Sequence, residues 1–258
     1  NHYNDGPDDS SNDAMIKARI KGIFRLSRSS YGSRRILKQL RSDGYTIGRY
    51  KVRRLMRDLG LKAKARRRFK VTTESRHSFP VASNILNRKF DINEPNRVWT
   101  ADISYVWTLE GWLYLAVVVD LFSRMVVGWA MLPQMTSDLV VLALQMAVHR
   151  RQPPQELIHH SDHGSQYTSH TVQALLAQYQ IHASLGSVGD CYDNAAMESC
   201  FASLKRECIH RHFFTSRAEA RTVIFEFIEV FYNRIRRHSS LDYLSPVAFE
   251  QAYYDNYP

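Results

Sequence analysis

Apolar residues recur at helical spacing in three stretches near the start of the chain. Ile16, Ile20, Ile23 and Phe24 line the first. Ile36, Leu37 and Leu40 line the second, with Ser33 placed to cap it. Asp43-Gly44 breaks the pattern before the third, where Val52, Leu55, Met56 and Leu59 share one side and Gly60 marks the stop. Residues 1–12 have no such period; polar and interrupted by Gly6 and Pro7, they read as a disordered tail. Residues 71–95 also lack a period and read as a linker, because long structureless connections are uncommon inside a compact domain.

From Arg97 the chain changes character. VWTADISYVWT, WLYLAVVVDLF and RMVVGWAML predict three strands in quick succession, with Gly111 in the first turn and Ser123-Arg124 near the second. A helix over 137–150, a strand over 157–160, a helix over 169–179 and a strand over 181–184 follow. A loop with Gly186 and Gly189 then leads to a helix over 193–208, and a last helix covers about 217–232 with Val223, Phe227 and Phe231 on its apolar side. Three meandering strands followed by alternating helices and strands define an α/β class, in the order of an RNase H-like core. The expected organisation is a tail over 1–12, a small all-helical helix-turn-helix domain over 13–70, a linker over 71–95 and the core, with its C-terminal helix, over 96–258.

Charge sharpens that division. Residues 13–70 hold 20 Lys and Arg against 3 Asp and Glu, whereas residues 71–258 hold 15 against 19. The net charge of +10 therefore comes from the helical segment. Basic charge this local is the electrostatic footprint of a nucleic-acid binder, since neutralising phosphates releases counterions. On the third helix Arg49, Lys51, Arg53, Arg54 and Arg57 avoid the apolar side, so this helix is expected to enter a groove or lie along phosphates. The sequence leaves open whether it reads bases. Arg234, Arg236, Arg237 and His238 form a second basic cluster, for which DNA contact and a solvated face stay equally open. Cys191, Cys200 and Cys208 contain no CxxC and are odd in number, which argues against a disulfide framework and fits a reducing cytosol. The longest apolar run, residues 113–119, falls far short of the ~20 residues that cross a bilayer. The expectation is no membrane and a cytoplasmic, nucleoid-associated protein.

Three carboxylates stand out by context. Asp102 interrupts an apolar strand, Asp162 follows directly on a short apolar strand, and Glu198 lies on the helix from 193. A carboxylate in or just after a central strand is costly to desolvate unless it is paired or binds a cation. Oxygen ligands from carboxylates suit Mg²⁺, and two such ions suit phosphodiester chemistry, where nucleophile and leaving group are both poor. Asp120, at the end of a strand beside Ser123-Arg124, is the rival ligand, with a structural role favoured. Asp193 and Asn194 are placed to cap a helix, and Asn194, one turn before Glu198, is also a candidate for DNA contact. His159, His160 and His163 flank Asp162, but neighbouring strand positions point to opposite faces, which argues against a shared zinc site. His163 is a candidate for contact with substrate or water. Trp99, Tyr105, Trp107 and Trp112 read as core or strand-pair residues rather than base-stacking platforms.

The strings VWTADISY, VVVDLFSR, HHSDHGSQYTS, SVGDCYDNAAMESCFASLKRE and YNRIRRHSSLDYLSPVAFE, in this order and with 35 residues between Asp162 and Glu198, resemble the DDE transposases and retroviral integrases. The resemblance is strongest to the catalytic OrfB subunit of the insertion sequence three family. It extends to YGSRRILKQLRSDGYTIGRYKVRRLMRDLGLKAK and covers about residues 31–250. It implies an RNase H-like integrase core, catalytic and metal-holding Asp102, Asp162 and Glu198, two Mg²⁺ or Mn²⁺ ions, and cleavage and strand transfer of insertion-sequence DNA ends. Lys205 matches the family's basic residue seven positions after its glutamate. Nearly two helical turns on, it shares a face with Glu198 and could hold a phosphate, while Met197, Phe201 and Leu204 pack inward. The resemblance further implies a homo-oligomer on paired ends and an upstream OrfA partner or fusion. A nuclease on the same fold and a non-catalytic DNA-binding repressor are the competing functions.

Overall fold

The computed structural model describes residues 7–63, 92–186 and 195–256. The chain forms two compact units, Asn1–Phe69 with Ile235–Leu244, and Lys70–Arg234 with Ser245–Pro258.

The first unit has three helices, α1 (Pro7–Leu26), α2 (Ser33–Ser42) and α3 (Arg49–Asp58). Their apolar sides meet in one core of Ile16, Ile20, Ile23, Tyr31, Ile36, Leu40, Ile47, Val52, Leu55 and Met56. The helix α1 begins inside the stretch read above as tail. Pro7 takes the first helical position, where its fixed φ suits a helix and its missing N–H leaves no bond unmade. Gly32, not Ser33, stands at the N-cap of α2, without a side-chain cap bond. Gly44 and Gly60 follow α2 and α3 in the left-handed region (φ +89° and +66°), where a side chain would be strained.

The segment Ile235–Leu244 packs in this same unit. The Arg237 backbone N–H donates to the Tyr31 hydroxyl (2.6 Å). Its guanidinium donates to Gln39 Oε1 and to the Tyr243 carbonyl, both at 2.8 Å. The Lys38 ammonium sits 5.5 Å from the Tyr243 ring centroid. Arg236 and His238 are buried. Arg236, Arg237 and His238 of the second basic cluster are therefore used inside the protein, which is neither of the two readings the sequence left open.

The second unit is built on a five-stranded sheet in the order β3-β2-β1-β4-β5. Strands β1 (Val98–Thr108), β2 (Gly111–Asp120) and β3 (Val126–Leu132) form an antiparallel meander, while β4 (Ile158–Ser161) and β5 (His182–Leu185) run parallel to β1. Two helices, α4 (Ser137–Arg151) and α5 (His170–Gln178), cover one face through Leu139, Leu144 and Leu176. On the other face lie α6 (Ala195–Glu207) and α7 (Arg217–Glu226), which continues as a π-type turn over Phe227–Tyr232. The expected helix over 217–232 is thus present with a widened last part, where the Asn233 N–H reaches the Ile228 carbonyl. The Asn233 amide then clamps the backbone of Val126 through two 2.9 Å bonds. A last helix, α8 (Pro246–Asn256), packs Phe249 and Tyr253 on Phe122. Its signal in the sequence was Ser245-Pro246, a cap residue followed by proline at the first helical position.

On β3, Gly128 lets α4 approach closely: a Cβ there would lie 2.2 Å from the Ala143 carbonyl oxygen and 2.8 Å from Ala147 Cβ. Because the obstacle is helix backbone, Gly128→Ala is expected to cost about 1–3 kcal/mol or more. A thermal melt of the variant checks this; an unchanged midpoint contradicts it.

Candidate active site

The parallel ladder between β1 and β4 pairs Val98 with Ile158, Trp99 with His159 and Thr100 with His160. Continued by two residues, the same register sets Asp102 level with Asp162. Asp102 thus lies two residues past the last β1–β4 pair, and Asp162 directly follows β4. Asp102 is half-buried opposite Val117 of β2, and its Oδ1 accepts from the Ile103 N–H (2.7 Å). Asp162 is exposed, and its Oδ1 accepts from the Gly164 N–H (3.0 Å). Gly164 leaves room for this turn: a Cβ there would lie 2.9 Å from Asp162 Oδ1 and 3.5 Å from the Tyr167 ring.

Tyr167 is a residue the sequence reading missed. It is buried, and its hydroxyl has no hydrogen-bond partner among the described residues. Burial pushes the phenol well above its usual range, and the charges of Asp102 and Asp162 push it further. The phenol therefore senses both carboxylates. No sequence signal separates such a tyrosine from an ordinary core aromatic.

The histidines divide by position. His159 is buried and sits 6.0 Å, centroid to centroid, from Tyr167. Burial first, and then neighbouring His160, lowers it to about 4. His160 Nδ1 lies 3.0 Å from the Ser184 hydroxyl, joining β4 to β5. His163 donates from Nε2 to the Gly186 carbonyl, fastening the turn after β4 to the end of β5. A carbonyl only accepts, so that nitrogen carries the proton.

Glu198 is exposed in the first turn of α6, whose buried Met197, Cys200, Phe201 and Leu204 anchor it on the sheet. Ala196 packs beside Val98 and Leu121. Among the described residues no three His, Cys, Asp or Glu side chains stand close enough to hold a metal together. The fold places Asp102 and Asp162 where both charges act on Tyr167, and Glu198 on the first turn of α6. Asn194 lies outside the described residues. The ammonium of Lys205 sits 5.5 Å from the ring centroid of Tyr105. Carboxylates offer hard oxygen donors, which fit a divalent ion such as Mg²⁺.

Asp120 has a different environment. Fully buried, it accepts from the N–H groups of Asn96 (2.7 Å), Phe122 (2.9 Å) and Ser123 (3.0 Å) and from the Ser123 hydroxyl (3.3 Å). Burial raises its pKa, and the bonds from Ser123 and Asn96 oppose that rise. Its lone pairs are used in shaping the turn between β2 and β3, the structural role favoured above.

In the first unit Lys51 and Arg54 both reach Asp13 of α1, at 2.6 and 3.0 Å. Arg49 and Arg53 are exposed on α3. Of the five basic residues on this side of α3, Lys51 and Arg54 are therefore engaged in surface ion pairs, which are individually weak and exchangeable.

Comparison with known proteins follows this geometry. Residues 92–191 and 179–246 match two families described as Integrase core domain, and residues 10–69 match the HTH-like domain. A chain of the simian T-cell lymphotropic virus intasome, solved with PP2A regulatory subunit B56 gamma, superposes with a TM-score of 0.51 at 16% identity. The overlap covers 69% of this chain and 60% of that one. The class is an integrase-core protein with an α/β RNase H-like fold and an N-terminal HTH-like domain. The chain is 44% identical over 247 residues to the "Insertion element IS600 uncharacterized 31 kDa protein" of Shigella sonnei, covering 96% of this chain and 91% of that one. It is 47% identical over 231 residues to "Transposase InsF for insertion sequence IS3A" of Escherichia coli, covering 90% and 80%. The chain belongs to the insertion sequence three family of transposases. No helix among the described residues is long and apolar enough to cross a membrane.

Two outcomes test the division of roles. Asp120→Asn, which turns an amide N–H toward backbone donors, is expected to lower stability by about 1–3 kcal/mol in a thermal melt; an unchanged melt contradicts the structural role. His159 refuses in the fold a proton that the unfolded chain accepts. Stability is therefore expected to fall as pH drops from 6.5 toward about 4. His159→Asn should flatten that dependence, and an equal slope in wild type and variant contradicts it.

Proposed function

We propose that this transposase cuts and joins DNA strands at the ends of its insertion sequence, with Asp102, Asp162 and Glu198 as the catalytic carboxylates. The observation that supports this reading is the β1–β4 register, which, carried two residues past its last pair, aligns position 102 with position 162. Asp102 and Asp162, joined by Glu198 from α6, would hold two Mg²⁺ or Mn²⁺ ions. When bound, these ions lower the charge of the scissile phosphate and help an attacking oxygen lose its proton.

The reaction needs no protein nucleophile. A water oxygen forms a bond to phosphorus and the 3′-oxygen leaves, taking a proton as a free 3′-hydroxyl. That hydroxyl then attacks a second phosphodiester, and one P–O bond again replaces another, without oxidation or reduction. The residues of this chain mainly position and neutralise. Gly164 holds the Asp162 carboxylate through its N–H. The packed face of α6 fixes where Glu198 and Lys205 begin, and Lys205 offers a charge to a phosphate. His163 and Asn194 are further candidates for contact with DNA. Arg49 and Arg53 of α3, with Lys51 and Arg54 once released from Asp13, would bind phosphates of the element's ends. Paired ends call for a homo-oligomer, and an upstream OrfA partner or fusion for full end recognition. A cytoplasmic, nucleoid-associated setting goes with this activity.

A labelled duplex bearing the element's terminal sequence tests the proposal. The wild type with Mg²⁺ or Mn²⁺ is expected to yield cleaved and joined strands, and Asp162→Asn and Glu198→Gln to lose both by roughly 100-fold or more. Cleavage that never leads to joining would replace the proposal with a nuclease. Binding without cleavage by the wild type would replace it with a repressor.

A further inference from the structure

The tip of the β1–β2 hairpin carries an aromatic face that is not used in the core. Tyr105 pairs with Tyr114 and Trp107 with Trp112 directly across the two strands, so all four side chains stand on one side of the sheet. Tyr114 packs against the core below α4. The other three remain open to solvent: Tyr105 is 56%, Trp107 55% and Trp112 42% exposed. Their rings touch edge to face, at 5.1 Å for Tyr105 with Trp112 and 4.8 Å for Trp107 with Trp112. Scattered exposed aromatics need no explanation, but a contiguous patch of this kind marks an interaction surface.

The surroundings say what it meets. Because β4 pairs with β1 only as far as Thr100, the rest of β1 has no strand on that side among the described residues. This open edge runs from Asp102 to the aromatic face. Tyr105 is three residues beyond Asp102, about 10 Å along an extended strand. A cation stands at each end of the face. Lys205 lies over the Tyr105 ring, and the Arg217 guanidinium donates to the Trp112 carbonyl (3.1 Å). The one acid at the tip, Glu110, accepts from the Arg217 backbone N–H (2.8 Å). Exposed ring faces gathered on one hairpin and flanked by positive charge offer unpaired bases stacking surfaces and their phosphates a counter-charge; base–aromatic stacking tolerates any sequence. We infer that Tyr105, Trp107 and Trp112 form a stacking platform for an unpaired DNA strand that runs along the open edge of β1, with Lys205 holding a phosphate beside it. This rests on the proposed strand chemistry only for its direction toward the carboxylates. It adds a ligand-binding role to Tyr105, Trp107 and Trp112, which are also the strand-pair residues expected from the sequence, and leaves Trp99 in the core.

The test uses the full chain in EDTA, with fluorescein-labelled oligo(dT) of about 15 nucleotides as probe. Binding is expected to quench part of the tryptophan emission, since Trp107 and Trp112 are exposed indoles, whereas Trp99 is buried and Trp129 is half-buried on β3. Replacing both by leucine, which keeps an apolar hairpin without stacking, should weaken oligo(dT) binding about tenfold or more and leave duplex binding nearly unchanged. The Trp107→Phe, Trp112→Phe pair should retain most of the affinity. Oligo(dT) affinity in the leucine pair equal to wild type overturns the inference, and so does a smaller sedimenting species with unchanged oligo(dT) affinity, which assigns the face to a second copy of the chain. If the leucine pair melts early, the wild-type quench decides: its absence on saturation overturns the platform. Asp162→Asn separates the two proposals, because it should lose cleavage and still bind oligo(dT). A wild type that never cleaves but needs both tryptophans for oligo(dT) would sink the catalytic reading alone.

Discussion

The register between β1 and β4 is the constraint on which the site depends. Because side chains alternate along a strand, a slip of one residue would exchange the faces on which His159 and His160 are buried and shift Asp162 relative to Asp102. The register is fixed from beneath. Trp99 and His159 are buried as a pair, Thr100 is buried beside His160, and His160 is tied to Ser184 of β5. Buried neighbours thus hold the strands in line up to the point where β4 stops, next to Asp162.

Burial then sorts the acids. Asp120 is withdrawn from water and spends its oxygens on backbone donors, so it serves the turn between β2 and β3. Asp102 and Asp162 lie at the border of the sheet, where one oxygen of each meets a nearby N–H and the pair still faces solvent. The same logic applies to the cations. Arg237 is used to seat the Ile235–Leu244 segment, and Lys51 and Arg54 reach Asp13, whereas Arg49 and Arg53 are exposed.

Much of this was legible from residue patterns. β-branched runs and turn residues gave all five strands, and apolar spacing gave the helices that cover the sheet. Asp102 and Asp162 were recognisable because each interrupts or ends an apolar strand. Other features depend on contacts that no local pattern records. Arg237 meets Tyr31 and Gln39 from about two hundred positions away, so its cluster looked like a free basic face. Tyr167 reads as a core aromatic until the sheet sets it beside two carboxylates. Exposure of Trp107 and Trp112 depends on where β4 and the covering helices stop. Glu198 was singled out by its spacing from Asp162, and the fold anchors its helix without joining it to the two aspartates.

The central claim is that these three acids share one divalent-cation site. Substituting Fe²⁺ for the native ion and generating hydroxyl radicals cuts the backbone beside the bound metal, so a map of the cuts reads the site directly. The account predicts breaks clustered next to residues 102, 162 and 198, all suppressed by excess Mg²⁺. Breaks confined to other parts of the chain, or the same pattern in Asp102→Asn and Asp162→Asn, would contradict it.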